Sequence, residues 1–238
     1  MVLKENPSCA TCPSRYTSVF CEIGINLLGD INRTKGYSVY RKGQLIFHEG
    51  SRPSGLFVVH TGKVKIFKIG EEGREQIIRF AKTGDIIGYR ALLSDDLYMA
   101  SATTMEESGI CFIPRSLINE LIAKEPSFPL QVMKLLSNDL RVAEDRLTDF
   151  AQKPVRERLA EALLTLRDKY GYEEDEKTLN INMTREEIAN IIGTATETVI
   201  RILSDLKSEK VLMLNGRRIS ILNERKLSAI ANMHFTHH

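Results

Sequence analysis

The chain has no tryptophan, four cysteines among 238 residues and almost no net charge, 33 Lys and Arg standing against 31 Asp and Glu. Each scarcity excludes something. Four thiols are too few for a disulfide-stapled secreted scaffold, and a chain of this length buries a core without staples. No apolar run reaches the roughly 18 residues that a membrane-spanning helix needs. Residues 1–26 lack the unbroken apolar core and small-residue cleavage site of a secretory leader. The expectation is a soluble, cytoplasmic protein with no membrane partner. A composition of 42% hydrophobic and 27% charged residues excludes disordered, collagenous and rod-like classes.

Charge is informative once divided along the chain. Residues 180–238 carry eight basic and six acidic side chains, so the whole excess of two sits in the last quarter. That excess is too small to argue nucleic-acid binding alone, and the placement of the charges must carry the argument.

From Tyr37 to about Ile113, short β-rich runs alternate with glycine. Leu56 to Val59, Val64 to Ile69 and Gln76 to Phe80 read as strands, bounded by turns such as His60-Thr61-Gly62 and Glu71-Glu72-Gly73. Strands with one apolar face need a second sheet to cover it, which predicts a β-sandwich or jelly roll. After Pro126 the period becomes helical. Met133, Leu136, Leu140, Ala143, Leu147 and Phe150 align as one a/d seam on a long helix. Such a stripe packs either on its own β-domain or on a second copy of itself, and the length and narrowness of the seam favour a homodimer. Pro154 ends that helix, and a further helix runs from Val155 to Tyr170. The acidic run Glu173 to Glu176 reads as a solvated loop. The expected organisation is α+β: a sensor β-domain over 1–125, a dimerisation helix over 126–153 and a winged helix-turn-helix domain over 154–238.

The segment from Met183 to Leu206 contains two helix starts. Thr184 with Glu187, and Thr194 with Glu197, have capping-box spacing, and Gly193 supplies a tight turn between them. Val199, Ile202, Leu203 and Leu206 form the inward stripe of the second helix. Thr196, Glu197, Thr198, Ile200 and Arg201 lie on or beside its outward first turns, where a recognition helix meets base edges. Arg201 can pair bidentately with guanine and Glu197 can accept from a cytosine amino group. The bland alternative is that Glu197 only caps, or pairs with Arg201 four residues on. Downstream, Asn215-Gly216 signals a hairpin whose Arg217 and Arg218 would grip phosphates as a wing. Arg185 joins the candidate DNA contacts. Double-stranded DNA is the expected partner.

The sandwich, the long helix and the stretch from Met183 through Arg201 resemble the CRP/FNR family of bacterial transcription regulators over almost the whole chain. The resemblance implies a homodimer on a palindromic site, with Glu197 and Arg201 as base readers and RNA polymerase as a further partner of an activator. Ile200 is apolar where the FNR branch carries Ser, so it would meet a thymine methyl. Cyclic-nucleotide-binding members hold the ribose with a Gly-Glu pair and the phosphate with an Arg-Ser pair. The matching positions here are Tyr89 and Met99, so no cyclic AMP is expected: a buried phosphate without a cation is heavily penalised.

Oxygen-sensing members of the FNR branch hold a [4Fe–4S] cluster on three N-terminal cysteines and one before the dimer helix. By that resemblance Cys9, Cys12, Cys21 and Cys111 are the ligands, since thiolates can fill all four corners. The eight residues between Cys12 and Cys21 exceed the five typical of the branch. Doubling a loop costs only about 0.6 kcal/mol in closure entropy. Other readings stay open: zinc on the same four thiolates, a Cys9/Cys12 thiol-disulfide switch, or an inert set with an unrelated effector in the β-domain. His48 and His60 are weaker candidates as haem ligands. His234, His237 and His238 close the chain. An enzyme is not expected: Cys9-Ala10-Thr11-Cys12 has oxidoreductase spacing, but eight residues without a strand pattern precede it.

Overall fold

The fold is known from a computed structural model that describes residues 6–71 and 73–232. The turn residue Glu72 and the three terminal histidines singled out above lie outside the described residues. Eight strands form the β-body: β1 (Gly36–Tyr40), β2 (Leu45–Phe47), β3 (Gly55–Thr61), β4 (Lys63–Ile69), β5 (Glu75–Lys82), β6 (Ile86–Ile87), β7 (Ser101–Thr104) and β8 (Ser108–Pro114). They make two four-stranded sheets, ordered β1-β8-β3-β6 and β2-β7-β4-β5. The expected sandwich is present. Its inner core joins Val59, Val64, Ala81, Ile87, Ala102 and Ile110 from both sheets. At the β3–β4 turn, Gly62 has φ 95°, and a Cβ there would lie 2.2 Å from Ser108 Oγ. Only glycine fits this corner.

The outer face of the first sheet is also buried. Alternation turns Val58 and Ile113 outward while Val59 and Ile110 turn inward. The outward set meets α1 (Ile25–Thr34), α3 (Arg115–Lys124), the start of α4 (Ser127–Gln152) and the chain before α1. Phe20 stacks on Phe128 with ring centroids 5.5 Å apart. Beside that stack, Gln131 Nε2 donates to Glu22 Oε1 at 2.9 Å, and the Gly24 N–H points at Glu125 Oε2 at 3.4 Å. The cysteine-bearing segment therefore rests directly on the first turns of α4.

Farther along α4, Asp139 accepts from Arg79 Nη1 of β5 at 2.8 Å and from the hydroxyl of Tyr89. Tyr89 opens α2 (Tyr89–Ser94), and Arg79 also donates to its hydroxyl at 3.2 Å. Burial, reinforced by Asp139 against the opposing pull of Arg79, pushes the Tyr89 phenol up to about 12. These three groups satisfy one another, as polar groups withdrawn from water must.

The expected long helix is therefore present, and its apolar residues divide between a buried set and an exposed one. Phe128 and Val132 are buried on its own domain and Leu136 packs partly there. Met133, Leu140 and Leu147 are 58, 61 and 73% exposed.

By contact, the chain divides into two compact units, 1–73 with 77–141, and 74–76 with 142–238. The second unit holds α5 (Val155–Tyr170), α6 (Arg185–Ile192), α7 (Thr196–Ser208), a hairpin of β9 (Leu212–Asn215) with β10 (Arg218–Ile221), and α8 (Glu224–Ile230). Its core includes Leu159, Leu163, Val199, Leu203 and Leu227. Among the described residues no helix is long and apolar enough to cross a membrane.

Phe128→Ala empties the contact with Phe20 and is expected to destabilise the β-domain by about 3–5 kcal/mol, read as an earlier urea midpoint. An unchanged midpoint would mean that the N-terminal segment is not anchored there.

Candidate DNA interface and cysteine site

The helix-turn-helix begins with the expected capping box. Thr184 Oγ1 accepts from the Glu187 N–H at 3.0 Å, and Glu187 Oε2 accepts from the Thr184 N–H at 2.8 Å. Gly193 then takes the left-handed conformation, φ 63° and ψ 57°. The second expected box is absent. The N-cap of α7 is Ala195, with no side-chain cap bond, so the turn runs one residue longer than the Thr194–Glu197 spacing implied. Glu197 thus sits at N2, where it cannot reach back to close a box with Thr194.

This correction sharpens the interface. Val199, Ile202, Leu203 and Leu206 are buried as expected, while Glu197, Ile200 and Arg201 are exposed and Thr194, Thr196 and Thr198 are half-buried. Among the described residues, neither Glu197 nor Arg201 is engaged in a side-chain hydrogen bond or ion pair, so the alternatives of a cap or an i,i+4 pair both fail. A free carboxylate and a free guanidinium face outward from the first two turns of α7.

The wing differs in detail from expectation. The two loop residues are Gly216, at φ 57°, and Arg217; Asn215 instead pairs with Arg218 at the end of the ladder. A glycine at the first loop position suits a II′-like turn. Arg217 is exposed at the tip. Arg185 does not point away as a free cation: its Nη2 donates to the Gly216 carbonyl at 2.9 Å, which buttresses the loop from α6. Arg218 is held by Glu173.

That pair overturns the reading of 173–176 as a merely solvated loop. Asp175 accepts from the N–H groups of Thr178 at 2.8 Å and Lys177 at 3.1 Å. Thr178 then bonds Ser220 Oγ at 2.7 Å, Leu179 N–H reaches the Ile219 carbonyl at 3.0 Å, and the Ile221 N–H reaches that of Lys177 at 2.9 Å. The acidic segment is tied to the flank of the wing.

The second site lies on the outer face of the first sheet. Cys9, Cys12 and Cys111 line one cavity of about 50 Å³ together with Lys35, His60 and Phe20. Cys111 is fixed by pairing with Tyr37 on β1 and Val58 on β3. His60 lies two residues beyond Val58, and the ladder slips beside it, between Val59 and Thr61. Such a bulge re-aims a side chain, and His60 Nδ1 lies 3.4 Å from Cys12 Sγ. Cys12 caps the short 3-10 turn Pro13–Thr17, whose Ser14 hydroxyl donates to the His60 carbonyl at 3.2 Å. Cys9 is held by its N–H to Asn32 Oδ1 at 2.9 Å. Lys35 Nζ lies 3.0 Å from Cys9 Sγ.

Burial pushes the Cys111 thiol up to about 11, with Cys9 and Cys12 adding to the rise and Lys35 opposing it. Burial, and then the charge of Lys35, hold His60 below its ordinary value, so the ring is neutral near pH 7.

Cys21 is half-buried in the turn after Ser18 and does not line the cavity. Among the described residues no three His, Cys, Asp or Glu side chains converge on a single ion. The donor chemistry fits a thiolate-bound cluster at three corners. The fourth thiol, Cys21, lies on the same segment as Cys9 and Cys12.

Sequence reasoning missed Lys35 and Asn32 and weighed His60 only for haem; a lone Lys after a helix carries no local signal. Tyr89 and Met99, at the cyclic-nucleotide positions, are respectively buried against Asp139 and 63% exposed.

Comparison with known proteins agrees with this architecture. The cyclic nucleotide-binding domain family matches residues 37–125, and the Crp-like helix-turn-helix domain family matches residues 157–230. The fumarate and nitrate reduction regulatory protein of Vibrio cholerae is 30% identical over 194 residues, 81% of this chain and 77% of its own. Its counterpart in Escherichia coli is 30% identical over 192 residues, 80% and 76% of the two chains. The structure of FixK2 from Bradyrhizobium japonicum superposes with a TM-score of 0.74 at 26% identity, covering 83% of this chain and 97% of that one. The chain belongs to the CRP/FNR family of DNA-binding transcription regulators.

Proposed function

We propose that this regulator acts in the cytoplasm as a homodimer and reads oxygen, nitric oxide or redox state through a [4Fe–4S] cluster ligated by Cys9, Cys12, Cys21 and Cys111. The observation that carries the reading is the placement of the cysteine segment. It faces Cys111 on one side and lies on α4 through Phe20 and Phe128 on the other. Two of the relatives carry a name that refers to fumarate and nitrate reduction, which supports a respiratory signal. When bound, the cluster would supply a centre labile to oxygen and nitric oxide.

The rest is work for the polypeptide. With its thiols engaged, the 9–21 segment is pinned to β8, and Phe20 and Glu22 hold the first turns of α4 in place. Released, the segment withdraws that support. The exposed stripe of Met133, Leu140 and Leu147, continued by Ala143, offers a second copy an apolar seam with no charged member. Each copy then presents one α7 to a major groove, two half-sites a helical turn apart. Glu197 and Arg201 read base edges, Ile200 meets a thymine methyl, and Thr196 and Thr198 stand beside them. Arg217 grips phosphate at the wing tip. Without a cation at Met99, cyclic AMP has no charge partner at that position.

Three outcomes are expected. Anaerobically purified protein carries visible absorption and about four irons per protomer; a colourless, iron-free chain that binds its operator equally well with all four cysteines changed to Ser would remove the cluster. In selection from random duplexes, Arg201→Ala relaxes one base position per half-site by about 1–3 kcal/mol, and an unchanged preferred sequence would reassign the base reader. Glu173→Gln frees Arg218 for phosphate and steepens the salt dependence of DNA binding by about one unit of log–log slope per protomer; an unchanged slope would mean that Arg218 meets no phosphate.

A further inference from the structure

Among the described residues, Lys35 is a buried lysine without a carboxylate partner. Its side chain follows α1 directly and is 6% exposed. Its acceptors are the Pro7 carbonyl, Cys9 Sγ at 3.0 Å and Asn32 Oδ1 at 3.3 Å. Two of the three are uncharged oxygens. Buried charges are ordinarily paired, because removal from water is costly unless an opposite charge compensates. A polar side chain could fill this space at far lower cost. Asn32 Oδ1 receives both Lys35 Nζ and the Cys9 N–H, so the lysine and the first cysteine are set against each other by one oxygen.

We infer that Lys35 is the charge-compensating and positioning residue for an anionic occupant of the Cys9, Cys12 and Cys111 cavity. The inference rests on the cluster reading above and deepens it. A cluster ligated by thiolates is net negative, and its hydrogen bonds and nearby charges set its reduction potential. A fixed cation beside Cys9 favours the more negative, reduced state over the oxidised one. It therefore raises the midpoint potential and slows oxidative loss of the cluster.

The test compares wild type, K35Q and K35R after anaerobic reconstitution with iron and sulfide, using iron content, midpoint potential and the decay of visible absorption in air. K35Q keeps a donor toward Pro7 and Asn32 without the charge, and K35R keeps the charge. Circular dichroism of each apo-protein checks the fold. The expected result is that K35Q either fails to retain iron or holds it at a lower midpoint potential and loses it several-fold faster in air, while K35R stays close to wild type. K35Q matching wild type in potential and decay overturns the inference alone. So does failure of both variants to load with an intact fold, which would assign Lys35 to packing. An apo K35Q that does not fold while K35R folds assigns the charge to the apo fold and overturns it equally. A wild-type chain that takes up no iron overturns the cluster reading together with this one.

Discussion

One apolar contact, Phe20 on Phe128, fixes how the N-terminal segment lies on the β-domain. Without it the outer face of the first sheet would carry a loose N-terminal arm with three cysteines. With it, the arm becomes part of the core that also contains Leu28, Ile31, Ile113, Leu117 and Leu121. Burying two aromatic rings fixes the backbone on either side, and this brings Cys9 and Cys12 opposite a strand residue 99 positions from Cys12 in the chain. The wall of the cavity and the seating of α4 are thus two ends of one packed segment.

The DNA-binding half was legible in the sequence because its signals are local. Val199, Ile202, Leu203 and Leu206 repeat at helical spacing, and a Thr184–Glu187 box needs only three residues to close. The misreadings there had local causes as well. Gly193 carries the turn one residue farther than the hydroxyl–carboxylate spacing suggested, and a glycine at the first loop position moved the wing hairpin by one. The acidic loop misled for a different reason: the anchors of 173–178 are Arg218 and Ser220, far along the chain, and charge composition does not show partners.

The cysteine site was half legible. Four thiols stand out in any reading, but which of them meet depends on the pairing of β8 with β3 and on a bulge beside His60. Lys35 and Asn32 enter through the end of α1, an element that no strand or heptad pattern announced. Their role emerges only when burial is known, since an exposed lysine and an orphaned one look the same in sequence.

The close approach of Phe150 to Gly193 has a mechanical meaning for the long helix. A Cβ at Gly193 would come within 2.7 Å of the Phe150 ring, so that ring occupies the place a side chain would take at the elbow between α6 and α7. The Arg158 guanidinium covers the same ring at 5.1 Å and donates to the Phe150 carbonyl, while Lys153 bridges Asp149 and Glu161. Phe150 is therefore a clasp as well as a member of the seam. The helix break at Pro154 is spliced rather than free, and the last turns of α4 travel with the reading head. The apolar stripe of α4 therefore ends inside the same packed unit that carries α6 and α7.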